Sequence, residues 1–271
     1  MGVRIIAIDW SGAKKRPGKK IFWAEFRDGR AVRLESGRDR DRTVELLIDS
    51  ASGADTVVAG LDFAFSCPAW FLRHQQHFDV GAFWDAVGHC GEAWLEDCSA
   101  PFWGRRGRKC QIAGEQLFRR TELRAQSATG VRPKSVFQLA GGGHVGTGSL
   151  RGMAFLPKLR QSGFAIWPFD RPTRNVLVEI YPRLLTGRVN KSNKQARSDF
   201  LSRWEFQSLP AELLQDAASS EDAFDALISA FRMSQHANQL RRLQRATDSE
   251  VLLEAEIWAP QGDRASPCLA Q

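Results

Sequence analysis

Ile5-Ile6-Ala7-Ile8-Asp9-Trp10-Ser11-Gly12 opens the chain with an apolar run that ends in a carboxylate and a small-residue turn. Residues 3–9 are mostly apolar and β-branched, which predicts a buried central strand. An unpaired carboxylate in such a segment is costly to bury or is forced to protonate. The same grammar recurs in Val57-Val58-Ala59-Gly60-Leu61-Asp62, in Val176-Leu177-Val178-Glu179-Ile180-Tyr181-Pro182 and in Asp222-Ala223-Phe224-Asp225-Ala226-Leu227. Sites in α/β proteins gather at the carboxyl ends of the strands. Asp9, Asp62, Glu179 and Asp225 converging there would hold hard divalent cations, Mg²⁺ or Mn²⁺, through oxygen ligands.

Working outward from residues 3–9, Ile21-Phe22-Trp23-Ala24-Glu25-Phe26 reads as a second strand and residues 31–35 as a third. Asp28-Gly29 between them is a hairpin signal. Helical spacing covers 42–52, and 57–62 reads as a buried strand returning parallel to the first. Beyond it, helices are expected over 80–97, 115–126 and 149–161, the last interrupted by Pro157. Short strands are expected at 163–168 and 175–180. Helical patterns follow at 194–206, 209–217 and 220–245, with a late edge strand at 256–260 and a flexible tail at 261–271. The expected fold class is α/β, a mixed sheet of three antiparallel strands followed by parallel ones and flanked by helices. Residues 1–260 would form one domain carrying a large helical and loop insertion at about 63–146.

The chain has 271 residues, 43% of them hydrophobic, with a formal net charge of +7. No apolar run approaches the ~20 residues of a membrane span, and the opening strand leaves no room for a signal peptide. A cytoplasmic location without membrane contact is the expectation. The five cysteines include no CxxC pair, which argues against a zinc cluster and for reduced thiols packed as small apolar groups. Cations cluster at Lys14, Lys15 and Arg16 with Lys19 and Lys20, at Arg105, Arg106, Arg108 and Lys109 with Arg119 and Arg120, and at Arg241, Arg242 and Arg245. Such clusters suit a polyanion, because neutralised phosphates release counterions, or they are simply solvated surface. The Arg105 cluster carries the nucleic-acid reading, because Phe102 and Trp103 beside it could stack on bases.

Two cations held by carboxylates can activate water and stabilise a leaving oxygen in phosphodiester hydrolysis. Asp222 precedes Asp225 by one helical turn and shares its face. Either could be the ligand, and Asp225 sits deeper in the apolar register. Each acid also has a structural reading: a cap for Asp9 or Asp62, a satisfied strand-end group for Glu179, a dipole partner for Asp222.

In the order strand-Asp, strand-Asp, strand-Glu, helix-Asp the chain resembles the RNase H-like fold. More closely, it resembles the domain-of-unknown-function 429 family of predicted RNase H-like nucleases. The phrases that carry this are Ile8-Asp9-Trp10-Ser11-Gly12, Gly60-Leu61-Asp62-Phe63-Ala64-Phe65-Ser66, Ser135-Val136-Phe137-Gln138-Leu139-Ala140-Gly141 with Gly146-Thr147-Gly148, Glu179-Ile180-Tyr181-Pro182 and Asp222-Ala223-Phe224-Asp225-Ala226-Leu227. The resemblance implies a metal-dependent nuclease with Asp9, Asp62, Glu179 and Asp225 as ligands. Two other functions stay open: an ATP-dependent phosphotransferase of the actin and sugar-kinase type, and a non-catalytic nucleic-acid-binding protein. The glycine-dense stretch 141–148 lacks the ending of a phosphate-binding P-loop and is expected to be a flexible loop. His144 within it is a candidate proton shuttle or an exposed histidine without a role.

Overall fold

The computed structural model describes residues 2–142 and 144–260. Six strands, β1 (Val3–Asp9), β2 (Phe22–Arg27), β3 (Arg30–Glu35), β4 (Thr56–Leu61), β5 (Ala165–Ile166) and β6 (Asn175–Glu179), form one sheet in the order β3-β2-β1-β4-β6-β5. The pairs β1–β2 and β2–β3 are antiparallel, whereas β1–β4, β4–β6 and β5–β6 are parallel. Asp28 and Gly29 both adopt positive φ, 47° and 80°, as a tight hairpin turn requires.

Successive residues of β1 point to opposite faces, and both faces are covered. Ile6 and Ile8 share a core with Val57, Ala59 and Leu61; Ile5 and Ala7 share the other with Val58, Val176 and Val178. On the first face lie α1 (Arg40–Ala51), α2 (Ala69–His74), α3 (Val80–Asp97), α5 (Gly146–Met153) and α6 (Leu156–Gln161), with α4 (Arg120–Thr129) beside them. On the second lie α7 (Pro182–Thr186), α8 (Lys194–Leu201), α9 (Ala211–Ser219) and α10 (Glu221–Gln235). Two short helices, α11 (Ala237–Leu240) and α12 (Val251–Glu254), complete the described α-helices. None is long and apolar enough to cross a membrane.

Helix α10 approaches the sheet closely at Gly60. A Cβ there would lie 2.6 Å from Met233 Sδ and 2.8 Å from Ile180 Cγ2. The absence of a side chain in the middle of a strand, usually a weakness, here admits the helix that carries Asp222 and Asp225.

Several expectations need correction. The pattern over 149–161 is two helices, because α5 starts earlier, at Gly146, and Pro157 occupies the first turn of α6, where its missing N–H is harmless. The pattern over 220–245 ends as a helix at Gln235, and only the short α11 follows. Residues 256–260 form no strand: Ile257 makes a single bridge to Glu179, and Trp258 N–H donates to Glu179 O at 2.8 Å. The expected tail at 261–271 lies outside the described residues.

The segment 63–146 extends the first core. Phe71 packs edge-on against Phe83, Trp94, Phe102 and Phe137, with centroids 5.3–6.2 Å apart. Within the glycine-dense stretch, Gly146 and Gly148 are packed against backbone, whereas Gly141 and Gly142 are exposed. A Cβ on Gly12 would sit 2.5 Å from Gly148 N and 2.7 Å from Thr147 C, so the turn after Asp9 rests directly on the first turn of α5.

Backbone atoms cannot yield as a side-chain tip can. Gly12→Ala is therefore expected to destabilise the fold by about 1–3 kcal/mol, a typical overpacking effect. Urea denaturation checks this, and an unchanged midpoint would show that the two turns are not in contact.

Candidate carboxylate site

Parallel register places the acids. Ile8 pairs with Leu61, Asp62 N–H donates to Ile8 O at 3.0 Å, and Leu61 pairs with Glu179. Asp9, Asp62 and Glu179 therefore stand at neighbouring carboxyl ends of the sheet. Helix α10, capped by Ser220, brings Asp222 and Asp225 to the same edge with its positive end foremost.

Asp9, Asp62 and Asp225 form one electrostatic unit. Asp9 is 8% and Asp225 5% exposed. Burial first, and then the charges of Asp62 and Asp225, push the Asp9 carboxyl well above its ordinary range. Burial and Asp225 raise Asp62 to about 7 against the pull of Lys191. Burial raises Asp225 to about 6, again opposed by Lys191. Asp222 is raised by burial too, and Lys20 works against the shift.

Lys191, in the loop between α7 and α8, donates its ammonium to Asp225 Oδ2. Burial alone would depress this ammonium, but Asp225, Asp62 and Asp9 together hold it above its usual value. The other oxygen, Asp225 Oδ1, is buried with no partner. Among the described residues, no three His, Cys, Asp or Glu side chains already surround a common point as metal ligands would. The cation they share is Lys191.

Glu179 behaves differently from its neighbours. Arg119, 1% exposed, donates Nη1 to Glu179 Oε2 at 2.8 Å and Nη2 to Oε1 at 2.5 Å, and Phe65 N–H adds a third bond at 2.8 Å. Arg119 also forks onto Glu122 at 3.0 and 2.8 Å and donates to Glu254 O at 3.1 Å. Burial opposes the charge on Arg119, and the two glutamates more than restore it. Of the two expectations for Glu179, metal ligand or satisfied strand-end group, the structure has both carboxylate oxygens already held by a guanidinium. A cleft lined by Asp62, Lys134 and Tyr181 runs beside this network. Burial, with Asp62 nearby, pushes the Tyr181 hydroxyl up to about 12 and keeps it neutral.

The basic residues divide. Arg105 is half-buried and donates to Leu95 O at 3.0 Å and Thr147 Oγ1 at 3.1 Å, tying α3 to α5. Arg106, Arg108, Lys109 and Lys15 are exposed, and Lys14, also exposed, pairs with Glu96 at 3.5 Å. Both clusters therefore meet at the carboxyl end of α3, beside the turn that follows Asp9. Phe102 is 5% exposed within the aromatic core, so it offers no stacking face, and Trp103 is half-buried. His144 is exposed and turns Nδ1 to Gly141 O at 2.8 Å, with no bond to the acids. Cys67 and Cys98 are buried as expected, but Cys90 and Cys110 are exposed.

Lys191 has no recognisable signal in the sequence, and the Arg119 network has only a weak one. Lys191 lies in the polar run Arg188-Val189-Asn190-Lys191-Ser192, and Arg119 stood among surface-like arginines. Only the three-residue spacing of Arg119 and Glu122, one turn apart, hinted at a pair. The chain was also compared with protein-family models, curated proteins and solved structures, and none matches it.

Two consequences follow from the charge arrangement. Glu179→Gln leaves a buried guanidinium short of a counter-charge and is expected to destabilise by about 3–5 kcal/mol, measured by denaturant unfolding. Asp62 shows the opposite sign. Its folded-state value is raised, so the folded chain retains a proton that the unfolded chain loses above its ordinary range near 3.8. That contribution is present at low pH and is lost as pH rises toward about 7. Asp62→Asn is therefore expected to be more stable than the native chain at pH ~8 and to lose that advantage at pH ~4. Equal melting shifts at the two pH values would refute the shared burial of these charges.

Proposed function

We propose that this chain is a divalent-metal-dependent nuclease of the RNase H-like fold, related to the domain-of-unknown-function 429 family, that hydrolyses phosphodiester bonds of DNA or RNA. The observation that carries this reading is the gathering of Asp9, Asp62 and Asp225 at adjacent strand ends and a helix start, with Asp225 Oδ1 buried and unpartnered. Proteins rarely leave a buried carboxylate oxygen orphaned without a reason. The sheet order, three antiparallel strands and then parallel ones, supports the fold assignment.

The donor set fits Mg²⁺ or Mn²⁺: carboxylate oxygens only, on rigid elements, with the orphaned oxygen among them. Asp9, Asp62 and Asp225 would hold the ion, with Asp222 one turn away on α10. A bound divalent ion would supply Lewis acidity and a lowered pKa for coordinated water. The chain's own residues do the rest. Arg106, Arg108, Lys109, Lys14 and Lys15 attract the phosphate backbone to the side of the site where both basic clusters meet. Lys134 offers a cation along the cleft beside Asp62, and Tyr181 a neutral hydroxyl.

The test is cleavage of labelled single-stranded, duplex, hybrid and branched substrates in Mg²⁺, Mn²⁺ or EDTA. Activity is expected only with metal and should fall at least ~100-fold in Asp9→Asn, the order lost when charge stabilisation is removed. Cleavage that survives Asp9→Asn would place the chemistry elsewhere. Binding of nucleic acid that is indifferent to EDTA, without cleavage, would favour a non-catalytic protein, and tight ATP binding without nucleic-acid affinity a phosphotransferase.

A further inference from the structure

The amino edge of the sheet, opposite the acids, holds a cleft of about 270 Å³. Register builds its floor. Val58 pairs with Val176, so Thr56 and Val58 of β4 alternate onto the second face beside Arg174 and Val176 of the chain entering β6. Helix α10 packs on that face but ends at Gln235, and the short α11 then closes one side of the cleft with Leu240 and Arg241. Val58, Val176 and Leu240 are all buried, so the interior of the cleft is hydrocarbon.

The rim is cationic. Arg174 and Arg241 line the same cleft and both are exposed. Arg174 spends Nη2 on Ala51 O at 3.2 Å, which leaves its other nitrogens free. Arg245 of the same basic run is spent on Phe169 O at 2.7 Å, whereas the guanidinium of Arg241 has no hydrogen bond or ion pair among the described residues. No described carboxylate lines the cleft, and Asp55, the residue before Thr56, accepts from Gly2 N–H at 2.9 Å. Two like charges over an apolar floor repel each other, and an oxyanion held by both removes that repulsion. A guanidinium fork matches the paired oxygens of a carboxylate or a phosphate, and the hydrocarbon floor favours an apolar body behind them. We propose that this cleft binds a small amphipathic oxyanion, a carboxylate or phosphate monoester on a compact aromatic or aliphatic body. Arg174 and Arg241 hold the headgroup, and Val58, Val176 and Leu240 pack under the body.

The experiment is titration of the methyl-labelled full chain with phenyl phosphate, benzoate, inorganic phosphate and benzyl alcohol, followed by nuclear magnetic resonance of the Val58, Val176 and Leu240 methyls. Phenyl phosphate or benzoate is expected to saturate those methyl shifts at one equivalent, and the comparison of the two tells which headgroup is preferred. Inorganic phosphate and benzyl alcohol each offer half of the recognition and are expected to bind at least ~10-fold more weakly. Arg241→Gln and Arg174→Gln are each expected to weaken the preferred ligand about 10-fold, the effect of one lost charge-assisted partner. If Arg174→Gln does not fold, Arg241→Gln decides, since its guanidinium supports no other contact. Inorganic phosphate binding as tightly as phenyl phosphate would reduce the cleft to a charged patch and overturn the proposal. So would unchanged affinity in Arg241→Gln, or no saturation by either aromatic anion up to ~10 mM, the weak limit for a ligand of this size. None of these outcomes bears on the carboxylate site, which lies at the other edge.

Discussion

The parallel pairing of β1 with β4 is the constraint to which the rest of the structure answers. Its register sets Asp9 beside Asp62 at the end of two strands buried on both faces. Burial raises the protonation range of both carboxylates, helped at Asp9 by the charge of Asp62 and at both by that of Asp225. Every nearby feature either eases or exploits this. Gly60 lets α10 come close, the positive end of α10 faces the cluster, and Lys191 reaches in from the loop between α7 and α8.

The third strand end resolves the same problem differently. Glu179 is as buried as Asp9, yet it is met by a guanidinium that matches its two oxygens and also reaches a second glutamate, Glu122. A planar fork is suited to such a bidentate match, whereas an ammonium is a single point charge. One row of acids is thereby divided into a strut that joins β6, α4 and the segment before Ile257, and an open group that retains an unsatisfied oxygen. The strut is rigid because it is saturated.

Much of the architecture was legible in the chain. The two-faced burial of β1 and β4, the Asp28-Gly29 turn and the apolar stripe of α10 each follow from local side-chain chemistry. Helix ends were less legible where no glycine or proline marks them, as at Gln235. The glycines at 146–148 read as looseness, because sequence shows their freedom and not the turn of residue 12 pressed against them. Phe102 read as a stacking surface for the same reason: its neighbours in the chain are arginines, but its neighbours in space are Phe71, Trp94 and Phe137.

Sequence by itself determined that Asp9, Asp62 and Glu179 would stand at strand ends, because short apolar, β-branched runs are readily buried as strands and a terminal carboxylate then falls at the sheet edge. It could not determine how those acids are partnered. Arg119 lies sixty residues from Glu179 and Lys191 thirty-four from Asp225, and neither separation has any periodicity to betray it. Only the tertiary structure decided that one carboxylate is neutralised by a buried guanidinium and another is left with a free oxygen, since electrostatic partners are chosen by distance in space.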